Sequence, residues 1–312
     1  GGFLLYCPAK GDCEALDYRE RAPLTATRET YLVDGKPAPA RARVGWLASG
    51  TPGVVAGLLD ALGSWGTRKV PEILARPREL ARKGIEMTPF METELARRWK
   101  NEFNPELRKI FGCGDKPCFV GRKIVQTDLA KVLDEVSKHG RNGFYGGWVA
   151  AKIARMGGLI SEKDLKEYKP VLRKPLTGQA LGMQVVTMPP PSSGGIALLQ
   201  MLGFVERSRS SFADGWGSLK WVQTFAQAMQ RAFADRASYL GDPDFAKVPV
   251  EALLKPAYLD KRWEDADSRW QTVSGGGLDD GDHTTHLSVV DRAGNAVALT
   301  TTINDAFGSG YV

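Results

Sequence analysis

His283-Thr284-Thr285-His286-Leu287-Ser288-Val289-Val290 runs into Asp291-Arg292-Ala293-Gly294-Asn295 and then Ala296-Val297-Ala298-Leu299-Thr300-Thr301-Thr302-Ile303-Asn304. Two β-type runs flank a short polar turn, which reads as a hairpin. A turn symmetric about Ala293 sets Thr284 opposite Thr302; a bulge would shift that register by one residue. A threonine hydroxyl is a weak nucleophile and needs a base. The chain has three histidines, His139, His283 and His286. Nothing marks any of them as a triad base, and no Gly-x-Ser-x-Gly elbow occurs. A simpler source of base is a threonine at a newly cut N-terminus, whose own α-amine titrates near pH ~8.

The rest of the chain sets the context. It has 312 residues, 43% hydrophobic and 25% charged, close to a soluble globular average. That balance excludes collagen, coiled coil and wholesale disorder. No apolar run approaches the roughly 18 residues of a membrane span. Lys+Arg 42 against Asp+Glu 36 leaves a net +6. The excess is dispersed, so it suits an anionic substrate better than nucleic acid, which calls for a clustered basic face. The chain starts on strand-like Gly1-Gly2-Phe3-Leu4-Leu5-Tyr6 and stops at Gly310-Tyr311-Val312. Ends of that kind read as a piece of a longer polypeptide.

Two strands are expected at Phe3 to Cys7 and Cys13 to Tyr18. Thr51-Pro52 opens an apolar-periodic helix from Val54, with Thr51 as the expected cap. Residues 71–136 read as mostly helical, with Thr127 capping one helix. Another helix is expected from Phe144 to Met156, and Ser161 with Asp164 looks like a capping box. Val171 to Thr187 holds two strands. Ser192-Ser193-Gly194-Gly195 reads as a turn ahead of a helix from Ile196 to Val205, and a long helix spans Leu219 to Tyr239. Residues 272–282 read as a flexible acidic loop, and Asp242-Pro243-Asp244 as a structural turn rather than a calcium loop. Strands at both ends with helices between argue for an α/β or α+β layered fold, not a bundle.

Cys7 and Cys13 flank one turn, and Cys113 and Cys118 flank another. Zinc ligation would call for other spacings and a nearby histidine. Two local disulfides are expected instead, stiffening turns in an oxidising compartment.

Thr284-Thr285-His286-Leu287-Ser288-Val289-Val290-Asp291 with Gly294-Asn295-Ala296-Val297 resembles the small-subunit start of the γ-glutamyltransferases (γ-glutamyltranspeptidases). Tyr18-Arg19-Glu20-Arg21-Ala22-Pro23, Ala48-Ser49-Gly50-Thr51-Pro52-Gly53, Met188 to Gly195 and Tyr239-Leu240-Gly241-Asp242-Pro243-Asp244-Phe245 match in the same order. The resemblance runs over essentially the whole chain. It implies an α+β N-terminal nucleophile (Ntn) hydrolase with an αββα sandwich, incomplete here. Residues 1–283 would belong to a large subunit and 284–312 would begin a small one, the two forming a heterodimer from one precursor. It further implies self-cleavage between His283 and Thr284, with Thr284 then attacking the γ-amide of glutathione or another γ-glutamyl donor. Water, an amino acid or a dipeptide would resolve the resulting ester.

By the same match, Thr302 would orient Thr284, Asn304 would contact the donor's α-amino group, and Arg19 would bind its α-carboxylate. Arginine suits that last task because its planar fork matches a carboxylate. In the family, the oxyanion hole and the remaining donor contacts lie past the position of Val312, so none is assigned. No cofactor or metal is implied, and the expected location is periplasmic or secreted. Two other readings stay open. One is a related acylase that removes glutaryl or similar side chains from β-lactams; the other is a non-catalytic, unprocessed fragment. The residues alone allow blander roles too: strand threonines at Thr284 and Thr302, a strand end at Asn304, a surface ion pair at Arg19, and packing on the hairpin face for His286.

Overall fold

The computed structural model describes residues 1–208, 215–264 and 284–312. The expected loop at 272–282 and His283 lie outside the described residues.

The chain opens with β1 (Gly2–Cys7) and β2 (Glu14–Asp17). Polar residues 24–46 form short 3-10 turns and a two-residue ladder, β3 (Leu32–Val33) with β4 (Lys36–Pro37). A helical region follows. It comprises α1 (Val54–Trp65), α2 (Val70–Lys83), α3 (Pro89–Arg98), α4 (Pro105–Phe111) and α5 (Thr127–His139). Small ladders punctuate it: β5 (Ile85–Glu86) with β8 (Lys123–Ile124), and β6 (Gly112–Cys113) with β7 (Lys116–Pro117). Next come α6 (Asn142–Tyr145), α7 (Gly147–Ala154) and α8 (Glu162–Glu167), then β9 (Val171–Arg173), β10 (Leu176–Ala180) and β11 (Met183–Thr187). The last helices are α9 (Gly194–Arg207), α10 (Leu219–Tyr239), α11 (Val250–Leu254) and α12 (Pro256–Glu264), before β12 (Thr284–Val290) and β13 (Ala296–Thr302).

The architecture is α+β. One five-stranded sheet runs in the order β12-β13-β1-β2-β9, with β10-β11 as a separate antiparallel pair. All four pairings within the larger sheet are antiparallel. The first strand therefore lies between its own hairpin partner and the last strand, with Gly2 opposite Thr301 and Cys7 opposite Ala296.

Several expected boundaries shift for local reasons. α1 begins after Gly53, not at Thr51. Thr51 is drawn into a backbone bridge with Arg21, each donating its N–H to the other's carbonyl, at 2.8 and 3.1 Å. It is buried there and cannot turn to cap the helix. Gln126 occupies the cap position of α5, and Thr127 is the first helical residue. The helix expected from Phe144 to Met156 is two helices, because Gly146 is extended and Gly147 takes a left-handed φ of 59°. The Ser161–Asp164 capping box is present. Asp242 accepts the Asp244 N–H, closing the expected turn.

Tyr18 is fully buried and joins the sheet to α1. Its hydroxyl donates to the Thr300 carbonyl of β13 at 3.3 Å. Its ring fits between two glycines. A Cβ on Gly2 would come within 2.6 Å of the ring, and one on Gly57 within 2.2 Å. Leu4 and Leu16 complete this cluster, with Val54, Trp65 and Leu299 at its edge. Two further clusters matter for position. Ala56 of α1 packs with Tyr145, Leu165 and Tyr168, and Leu95, Trp99, Phe103 and Leu107 pack around α3 and α4 against Phe307.

Both expected disulfides are formed. Cys7–Cys13 closes the β1–β2 hairpin and Cys113–Cys118 closes the β6–β7 ladder. Their sequence separations are 6 and 5, and loops that short are worth about 2 kcal/mol each in the loop-entropy account.

Two outcomes follow in the full-length protein. Gly57→Ala should lower stability by about 1–3 kcal/mol through collision with Tyr18, even though alanine gains about 1 kcal/mol of helix propensity. Urea unfolding measures it, and a stabilised variant would contradict the packing described. Serine at both Cys7 and Cys13 should cost about 2 kcal/mol yet leave the circular dichroism spectrum of a folded protein.

Candidate active site

The register of the terminal hairpin builds the centre of the site. Thr284 is the first residue of β12, Thr302 is the last of β13, and the two are paired without a bulge. Side chains of directly opposed residues share a face of the sheet. The Thr284 hydroxyl lies 3.4 Å from Thr302 Oγ1, a long hydroxyl–hydroxyl contact. Thr302 Oγ1 also accepts the Asn304 N–H at 2.9 Å. Asn304 has φ 69°, a left-handed conformation that Asn tolerates better than most residues. The strand therefore ends in a tight turn that folds back on Thr302.

His286 falls on the same face as Thr284, since alternate residues of a strand do. Its Nδ1 is 2.7 Å from Thr300 Oγ1 and its Nε2 is 3.1 Å from Ser288 Oγ. Both ring nitrogens are thus engaged along the hairpin, in line with a place on that face. His283 lies outside the described residues, so its carbonyl has no described position.

Arg19 follows Tyr18, and its backbone is held on both sides. Its N–H donates to Asp17 Oδ1 at 3.1 Å, and its carbonyl accepts the Tyr168 hydroxyl at 2.7 Å. The guanidinium is half-exposed, bonds Glu20 at 2.9 Å and sits over the Phe3 ring at 5.7 Å. Burial pushes the Glu20 carboxyl up. The positive charges beside it, Arg19 foremost, outweigh that and hold it below the usual carboxylate range. Burial likewise pushes the Tyr168 phenol well above its ordinary value. Tyr168 therefore stays a neutral donor.

Three cavities share walls here. One of about 700 Å³ is lined by Thr284, Thr285, Thr302, Phe90, Phe111 and Phe307 among others. A second of about 340 Å³ takes in Thr302, Asn304, Glu20, Ser49 and Ser309. A third of about 280 Å³ is polar and includes Arg19, Glu20, Arg21, Asp17 and Arg173. Thr302 lines the first two and Glu20 the last two. Thr284, Thr302 and Asn304 are brought together directly. Arg19 opens on the third cavity, which meets the second at Glu20.

The motifs do not assign Tyr168, Asp17 or Glu20 to this arrangement. Asp17 and Glu20 lie within two residues of Arg19, so their proximity in sequence is a usable signal. Tyr168, the residue that follows α8, arrives by tertiary packing alone. Among the described residues no group of three or more His, Cys, Asp or Glu converges to hold a metal. No described helix is long and apolar enough to cross a membrane.

The model of the Gamma-glutamyltranspeptidase family matches residues 1–312. The chain is 40% identical over 326 residues to the glutathione hydrolase proenzyme of Escherichia coli (strain K12), covering 100% of this chain and 56% of that protein. It is 36% identical over 332 residues to the acylase ACY 1 proenzyme of Pseudomonas sp. (strain SE83), covering 99% of this chain and 58% of that protein. The chain thus spans a little over half the length of these curated relatives. Among solved structures, it superposes on the γ-glutamyltranspeptidase of Helicobacter pylori with a TM-score of 0.81 at 37% identity, covering 85% of this chain and 77% of that one. A match along the whole chain, shared by sequence and fold, places this protein in the γ-glutamyltranspeptidase family.

Proposed function

We propose that the full-length protein is a γ-glutamyl hydrolase and transferase that matures by cutting itself between His283 and Thr284. The observation that carries this reading is the unbulged pairing of Thr284 with Thr302, hydroxyl to hydroxyl, in a chain of this family. Residues 1–283 then belong to the large subunit and 284–312 begin the small one. The two would complete an αββα sandwich with the part of the precursor that follows.

Maturation follows from the chemistry of an amide and a neighbouring hydroxyl. Thr284 Oγ attacks the His283 carbonyl carbon, the C–N bond breaks, and the acyl group passes to oxygen. Water hydrolyses that ester, leaving a carboxylate on His283 and a free α-amine on Thr284. The amine now serves as the base for its own hydroxyl. Thr284 Oγ attacks the γ-carbonyl of the donor, the amine of the leaving group takes a proton, and a γ-glutamyl ester forms. Attack by water yields glutamate; attack by an amino acid or dipeptide amine yields a new γ-glutamyl amide.

Thr302 is the orienting partner of Thr284. Asn304 is suited to the donor's α-amino group and Arg19 to its α-carboxylate, with Glu20 bonded to Arg19 between their two cavities. Such a donor is a glutathione-like γ-glutamyl amide. Two disulfides support a periplasmic or secreted location. The second reading, a glutaryl or β-lactam side-chain acylase, draws on the likeness to an acylase proenzyme and would use the same nucleophile.

The full-length protein should appear as two chains by mass spectrometry, the smaller beginning at Thr284. Thr284→Ala should leave one uncut chain and lower turnover of a γ-glutamyl anilide by about 10³-fold or more. An uncut wild type with full activity would sink the proposal, and faster turnover of a glutaryl amide would favour the acylase. Thr302→Val should cost about 10- to 100-fold in kcat, as expected for one hydrogen bond to a reacting group. Tyr168→Phe should raise KM for the γ-glutamyl anilide several-fold with little change in kcat, because it frees the Arg19 carbonyl.

A further inference from the structure

We propose that Arg98 is a positioning residue for this site: its buried guanidinium ties Asp305 to α3 and so fixes the turn that presents Asn304. This rests on the functional reading above and adds to it a residue far from the nucleophile in sequence.

Arg98 is the last residue of α3 and its side chain is only 7% exposed. Its Nε lies 3.4 Å from Glu94 and its Nη1 2.8 Å from Glu102. Its Nη2 pairs with Asp305. Glu94 and Glu102 lie one helical turn to either side, so those two contacts tie the helix region only to itself. Asp305 is the partner from the far end of the chain. A buried guanidinium is tolerated only where carboxylates surround it. The same desolvation makes the link hard to break, since opening it strands charge on both sides.

Asp305 directly follows Asn304, and its position is otherwise set by the turn itself. Its carboxylate accepts the Ala306 N–H at 2.7 Å and its carbonyl accepts the Gly308 N–H at 3.0 Å. Holding Asn304 at φ 69° costs backbone energy that local contacts must outweigh. The chain of contacts is continuous: Arg98 to Asp305, Asp305 by one peptide to Asn304, Asn304 N–H to Thr302 Oγ1, and Thr302 to Thr284. Further along, Phe307 packs on Phe103 and Phe111, and the Asn104 N–H donates to the Gly310 carbonyl. Those contacts anchor the distal part of the segment. Arg98 anchors the part beside Asn304.

The test uses the full-length protein carrying Arg98→Met, Arg98→Lys, Asp305→Ala, or Arg98→Met with Asp305→Ala. A γ-glutamyl anilide and a glutaryl anilide, which lacks the α-amino group, are assayed in parallel. Arg98→Met should raise KM for the γ-glutamyl substrate and lower its preference over the glutaryl one by about tenfold or more. Arg98→Lys should recover part of that preference. Asp305→Ala should match Arg98→Met, and the double variant should be no worse than the poorer single one, as coupled residues require. Amide hydrogen exchange should rise at 303–306 in Arg98→Met while the paired strands stay protected. A lower melting temperature with unchanged preference and unchanged exchange at 303–306 would overturn the proposal. If the wild type turns over neither anilide, the functional reading falls by itself, and the exchange measurement alone still decides whether Arg98 holds the turn.

Discussion

The backbone pairing of β1 with β13 is the constraint on which the site depends. It joins the two ends of the chain, Gly2 against Thr301 through Cys7 against Ala296. It also extends past the strands, with the Thr302 N–H donating to the Gly1 carbonyl at 3.0 Å. Because β1 turns directly into β2, the residues after β2 emerge beside the end of β13. Arg19 and Glu20 are those residues. The hairpin that carries Thr284 and Thr302 and the segment after β2 that carries Arg19 are thus brought together by ladder hydrogen bonds. Tyr18 secures the junction, with its ring held between Gly2 and Gly57 and its hydroxyl on Thr300.

Packing around the hairpin is uneven. The face toward α1 is packed with Leu4, Leu16 and Tyr18. β12, by contrast, is an exposed edge strand along its whole length. The turn after β13 is held from the outside, by aromatic packing of Phe307 and by the ion pair of Asp305 with Arg98. Long-range pairing sets where Thr284 lies, and side-chain contacts from the helical region set how the next residues turn.

Local patterns were legible in the sequence wherever one signal ruled. The Thr284–Thr302 register followed from turn symmetry alone, because each strand is regular and the turn carries no bulge. The Ser161 capping box and the long helix α10 followed from local chemistry and periodicity. Where two signals competed, tertiary structure chose between them. Thr51 had the chemistry of a cap but was claimed by the bridge to Arg21. Phe144 to Met156 had helical periodicity, but Gly146-Gly147 broke it.

By itself, the sequence determined the α+β class, the terminal hairpin with Thr284 facing Thr302, the close cysteine pairs and the family. Each of these is written in neighbouring residues or in motifs whose order survives without coordinates. Only the tertiary structure decided that Arg19 opens on a cavity that shares Glu20 with the one Asn304 lines, rather than onto Thr284, that Tyr168 grips its backbone, and that Arg98 reaches Asp305. Those relations join segments far apart in the chain. Burial and charge pairing select them only once the sheet has brought the segments together.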